Sequence, residues 1–219
     1  MEMRTLIETA AESERSGLLI ALLSGSLSEP EDFVRAGFPG AARARGIGAE
    51  FAMAEVRASW FADGTIVDRI RDSVVAPAHK RGHSRIWFAG ISLGALASLC
   101  YAARHESDVS GIVMISPYPA TRDILREVDA AGGLEHWQPA IPPEGDLERE
   151  AWLWLARCRA SPLPVNCYFS TGDRFADGQR RMAAALDPAH VREQPGGHDW
   201  PSWRALWDQF LADSGAALQ

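Results

Sequence analysis

No apolar run in the 219 residues reaches the ~18 that a membrane-spanning helix needs. Nor does Met1 to Ser16 contain a basic segment followed by an apolar stretch; it carries Glu2, Glu8, Glu12 and Glu14 instead. These two absences predict a soluble, cytoplasmic protein with no membrane span. Positive charge is the minority sign, 22 Lys and Arg against 29 Asp and Glu, and the net charge of −7 is spread along the chain. Without a basic stripe to meet a phosphate backbone, nucleic acid is not expected as a partner. Cysteine is scarce: Cys100, Cys158 and Cys167 are odd in number and have no C-x-x-C spacing, which suits reduced, buried thiols better than a disulfide frame. His79 and His83 are four apart but no third metal ligand joins them, so they are read as a solvated helix end, with no metal and no cofactor. Repeats and low-complexity tracts are also missing.

What the chain does have is apolar content, 47% of residues, enough for one domain over 1–219 to bury about 70% of its unfolded surface around a single core. Apolar runs bounded by turn residues alternate with amphipathic stretches, the pattern of a parallel sheet wrapped by helices. Strands are predicted at Met3–Glu8, Leu18–Ser24, Ala49–Val56, Arg85–Ala89, Gly111–Ser116, Val165–Ser170 and Val191–Gln194. Leu18–Leu23 and Gly111–Ser116 are continuous rather than alternating, as befits central strands covered on both faces. Helical spacing marks Ile66, Val67, Ile70, Val74 and Val75, with Gly82 as the stop, and also Ser92–Arg104, Phe175–Leu186 and Trp203–Leu211. From 121 to 161 the rhythm breaks. Candidate helices at Thr121–Ala131 and Leu147–Arg159, joined through Gly132-Gly133, Pro139, Pro142 and Pro143, read as a small helical lid, too short for a core of its own.

Gly90-Ile91-Ser92-Leu93-Gly94 lies between the strand-like Arg85–Ala89 and the helix-like Ala95–Ala102. This is the G-x-S-x-G nucleophile elbow, a tight strand-to-helix turn that holds a serine hydroxyl clear of the backbone. A chance match in a chain of this length and glycine and serine content has odds of roughly one in eight, so the weight comes from the strand, the helix and the small Ala89 and Ala95 at the turn.

A serine hydroxyl needs a base within hydrogen-bond reach and an acid to hold that base in the right tautomer. His198, in Pro195-Gly196-Gly197-His198-Asp199-Trp200 ahead of a helix opened by Pro201, is the best base of the six histidines; its bland reading is a surface loop residue. Asp173 follows the strand Val165–Ser170 at the edge where ligand chemistry gathers in open α/β sheets. Asp177 is its rival, and a helix cap its bland reading. Asp199, next to the base, is not expected to fold back onto its neighbour's ring.

With Ser92, Asp173 and His198 in that order, the chain resembles the α/β-hydrolase superfamily over nearly its whole length. The resemblance implies a mostly parallel sheet of about seven strands with helices on both faces, and an oxyanion hole made by backbone N–H groups. One donor is expected from Leu93, at a helix N-terminus. The other is expected from Ser24-Gly25-Ser26-Leu27, with Ser26 first and Leu27 next. Ser24 stands where many relatives have His. Only about sixteen residues precede the oxyanion-loop strand, so one of the family's N-terminal edge strands is expected to be missing.

Chemically, the constellation implies a serine hydrolase that cleaves a carboxylic ester or thioester through an acyl-enzyme on Ser92. An acyltransferase using the same intermediate and a non-catalytic small-molecule binder on the same fold are the other readings. The expected partner is a small acyl substrate, and the oligomeric state is left open. Of eight tryptophans, Trp137, Trp152, Trp154 and Trp200, with Tyr118, are candidates for an apolar pocket wall. Their alternative role is to join lid to body.

Overall fold

The computed structural model describes residues 2–9, 17–139 and 144–218. Seven strands form one sheet: β1 (Thr5–Glu8), β2 (Leu18–Leu23), β3 (Glu50–Ala54), β4 (Arg85–Ile91), β5 (Gly111–Ile115), β6 (Val165–Ser170) and β7 (Val191–Gln194). Their spatial order is β1-β3-β2-β4-β5-β6-β7. Among the described strands only β1 runs antiparallel, against β3, with Leu6 opposite Met53. The other pairings are parallel, with Leu22 opposite Ala89 and Ile91 opposite Ile115. Among the described residues β1 is the single strand beyond β3, the shortened edge that was expected. Pro142, Pro143, Glu12 and Glu14 lie outside the described residues.

The continuous apolar strands are central because each face of the sheet has its own core. Along β2, Leu19, Ala21 and Leu23 enter one hydrophobic cluster, and Leu18, Ile20 and Leu22 enter the other. This is the period-two alternation of a strand, with both sides buried. Between β2 and β3 lie α1 (Pro30–Arg35) and α2 (Phe38–Arg43), whose Phe33 and Phe38 are fully buried in the second cluster. Pro30 occupies the first turn of α1, where its missing N–H costs nothing, and a capping box between Glu29 and Asp32 closes the start.

On the first cluster's face, α3 (Ser59–Ala62) leads to α4 (Ile66–Ile70), which passes through a π-helical turn at Arg71–Val75 into α5 (Ala76–Lys80). The helical stretch therefore runs on to Lys80, just short of Gly82. Pro77 has no N–H for the carbonyl four residues back, and the wider turn absorbs that mismatch. α6 (Leu93–His105) follows β4 directly and is buried along most of its length.

Two helices fall in the segment expected to form a lid, α7 (Arg122–Ala130) and α8 (Leu147–Leu155). Packed along α6, α8 brings Leu147 O within 3.4 Å of the Cys100 thiol. All three cysteines are free and buried. α9 (Ala176–Ala183) follows β6, and α10 (Trp200–Ser214) closes the second cluster with Trp203, Leu206, Trp207 and Phe210. No helix among the described residues is long and apolar enough to cross a membrane.

Candidate active site

At the end of β4 the backbone reverses into α6 through Ser92, held at φ 52° and ψ −113°. A non-glycine residue there stores strain of about 1–3 kcal/mol, which only over-determined surroundings sustain. The surroundings are tight because both flanking glycines leave no room for a side chain. A Cβ on Gly90 would lie 2.4 Å from the Gly94 backbone, and one on Gly94 would lie 2.1 Å from Leu23 O. Ser92 N–H donates to Ile115 O at 3.0 Å, and Ser92 O accepts the Tyr118 N–H at 3.0 Å. The elbow is thus pinned to β5 and to the loop that follows it.

His198 Nε2 stands 3.1 Å from Ser92 Oγ, and His198 Nδ1 stands 2.7 Å from Asp173 Oδ2. The structure therefore joins, through one imidazole, three residues drawn from the ends of β4, β6 and β7. The ring is gripped edge-on by Phe175, with centroids 5.2 Å apart, and by Trp203 at 5.1 Å. Asp199 caps α10 by accepting the Ser202 N–H and, as expected, does not support its neighbour's ring.

The Asp173 side chain is wholly buried. Burial alone pushes its carboxyl up, yet hydrogen bonds from His198, the Phe175 N–H and Gln179 outweigh that and hold it below the usual carboxylate range. Its Oδ1 accepts the Phe175 N–H at 2.8 Å, while Oδ2 accepts from Gln179 Nε2 at 3.1 Å besides facing His198. Asp177, the rival acid, is exposed and pairs with Arg180. Gln179 escapes a search for triad residues. The available signal is a polar residue on the helix face that also carries Ala176, Met182 and Ala183.

Across from the elbow, Ser28 N–H closes a turn onto Gly25 O at 3.2 Å, with Leu27 at φ 66° and fully exposed. Gly25 is adjacent to Ser92: a Cβ there would sit 3.5 Å from the Ser92 Cβ. Among the described residues no acceptor occupies the Ser26 or Leu93 N–H. Ser24 is completely buried and its Oγ accepts the Val56 N–H at 3.0 Å. The loop is braced from β3's side by a hydroxyl.

The tryptophan wall needs correcting. Trp152 has no exposed surface and Trp137 only 5%, and both belong to the core on α6's side of the sheet. Trp200 is half-buried behind Trp203, against Phe33 and Phe38. Large aromatic surfaces were drawn into the core because burying them is worth more than lining a wet cleft. The Tyr118 ring lies 5.4 Å from that of Phe175, the residue that packs against His198.

Apart from the relay, an open cleft of about 650 Å³ is lined by residues that include Phe61, Ala62, Thr121, Leu147 and Glu148. Burial raises the Glu148 carboxyl above its ordinary range, and burial together with the Glu148 charge raises the Tyr118 phenol.

His83 also departs from the solvated reading, since its Nε2 lies 3.1 Å from Glu50 Oε1 and its side chain is mostly buried. Among the described residues no group of three or more His, Cys, Asp or Glu side chains is arranged to hold a metal ion.

No protein-family model matches the chain, and no curated protein matches it. Solved structures do. FphF, a fluorophosphonate-binding serine hydrolase of Staphylococcus aureus, aligns with TM-score 0.65 and 14% identity over 98% of this chain and 92% of its own. Est1E from Butyrivibrio proteoclasticus, with ferulic acid bound, gives 0.63 and 13% over 98% and 96%. A monoacylglycerol lipase of Paleococcus ferrophilus gives 0.62 and 16% over 98% and 100%. At such identities the likeness is one of fold.

Proposed function

We propose, for a chain whose fold is that of the α/β-hydrolases, a serine hydrolase that cleaves a carboxylic ester or thioester through an acyl-enzyme on Ser92. The observation that carries the reading is the unbroken relay from Ser92 Oγ through His198 to the buried Asp173, at 3.1 and 2.7 Å. His198 Nε2 takes the hydroxyl proton as Oγ bonds to the substrate's carbonyl carbon. The carbonyl π electrons move onto oxygen, and the Leu93 and Ser26 N–H groups donate to that oxyanion. When the oxyanion collapses, the bond to the leaving alcohol or thiol breaks, and His198 hands over its proton. Water then repeats the sequence on the acyl-enzyme: His198 takes one of its protons, the acid leaves, and the proton returns to Ser92.

Asp173 keeps Nδ1 as the protonated nitrogen, so that Nε2 presents its lone pair to the serine. Its lowered carboxyl suits that role, because an ionised carboxylate stabilises the imidazolium formed at each step. Esterase and lipase names among the structural neighbours support an ester as the substrate class.

A fluorophosphonate probe tests the reading: wild type should be labelled at Ser92, and Ser92→Ala should lose labelling together with p-nitrophenyl ester hydrolysis. Hydrolysis by the purified Ser92→Ala protein at the parent rate overturns it.

A further inference from the structure

On the serine-hydrolase reading, we propose that Gln179 is a positioning residue: it ties the Asp173 carboxylate to the segment that holds Ser92 and so sets the geometry of the relay. Its side chain, on α9, is completely buried. One amide nitrogen donates both to Asp173 Oδ2 and to Pro117 O, each at 3.1 Å. Pro117 precedes Tyr118, whose N–H donates to Ser92 O. The acid and the nucleophile are therefore joined twice, once through the imidazole and once through Gln179 and the loop after β5.

Two features set Gln179 apart from an ordinary core residue. Its Oε1 is buried with no partner among the described residues, an arrangement that weakens the fold and that an apolar side chain would avoid. Its position beside Ala176, Met182 and Ala183 is one that helical periodicity assigns to an apolar residue. What the amide adds is a pair of N–H donors, the one chemistry that can bridge a carboxylate and a carbonyl here. Without it, Oδ2 keeps only the imidazole, and the carboxylate is free to turn about the single bond from the Phe175 N–H.

Gln179→Glu and Gln179→Met separate this role from packing. A glutamate donates only while protonated, and burial beside the Asp173 carboxylate favours its protonated form. As pH rises it ionises, loses the donor and repels Asp173. The other titratable or charged groups near the relay are Asp199 on the His198 loop, Arg174, whose guanidinium lies 4.8 Å over the Phe175 ring, and Tyr118, which packs on that ring and follows Pro117; all three are unchanged in these variants. Gln179→Glu should give a kcat/KM profile with a descending alkaline limb where wild type is flat. Gln179→Met, similar in size but without donors, should lower kcat about tenfold at every pH with KM within about twofold.

Fluorophosphonate labelling of wild-type Ser92 runs alongside. Its absence defeats the hydrolase reading itself. Labelling in wild type, with both variants active within about twofold and unchanged in profile, defeats only the role of Gln179. If Gln179→Met does not fold, the Gln179→Glu profile decides. Failure of both to fold also overturns the proposal, because the residue is then a support of the core.

Discussion

Ser24 Oγ accepts the backbone N–H of Val56 at 3.0 Å, fastening the loop after β2 to the loop after β3 inside the protein. Ser24→Ala should therefore leave a buried donor unpaired and cost about 1–3 kcal/mol. Because the same loop carries the Ser26 N–H, kcat should fall more than KM changes. Thermal melts and initial-rate kinetics check both halves, and an unchanged kcat in a folded variant would remove the loop from the oxyanion machinery.

Asp173→Asn should keep the fold and lower kcat by about 10³–10⁴-fold, since an amide can donate to the imidazole and fix the wrong tautomer. Its effect on stability depends on pH in a defined sense. A carboxyl whose folded value is depressed contributes stability above its unfolded value, and that contribution is lost as pH falls through the folded one. The stability gap between wild type and variant should be widest near neutrality and shrink below about pH 4. Denaturant melts across pH measure it.

Glu148 carries the opposite sign. Burial raises its carboxyl, so its ionised form weakens the fold at neutral pH and stability is regained as pH falls through the raised value. Glu148→Gln, whose amide oxygen can still accept the Thr121 N–H, should raise Tm at pH 7 and show little difference near pH 4. Equal melting temperatures at both pH values would contradict it.

Gly94→Ala should cost about 3 kcal/mol or more, because the added methyl meets backbone and not a side chain that can swing aside. A soluble, fully active Gly94→Ala protein would show that the elbow can open, which the contacts with Leu23 and Ser24 O argue against.

Much of this was legible in the amino-acid order, for reasons that vary by element. β2 and β5 announced themselves because a strand covered on both faces needs apolar residues at every position. Ser92 was legible because only glycine fits at 90 and 94. By contrast, α1, α2 and α3 are six, six and four residues long, too short to show a helical period, and pass for loop. Their positions follow from Phe33, Phe38 and Trp60 finding the core. Trp152 stays open between pocket wall and lid joint for the same reason: sequence shows that a tryptophan is present but not which side of a helix meets a neighbour. Gln179 could be seen as an anomaly in an apolar register, though its partners at 117 and 173 exist only in three dimensions.

The relay residues leave the sheet from β4, β6 and β7, and among the described strands β7 pairs with β6 alone, at the sheet's edge. During refolding, helices and the β2–β4 pairing can accumulate while His198 is still far from Ser92. Recovery of turnover should trail recovery of the circular-dichroism signal, so that catalysis itself becomes the clock for the last strand to dock.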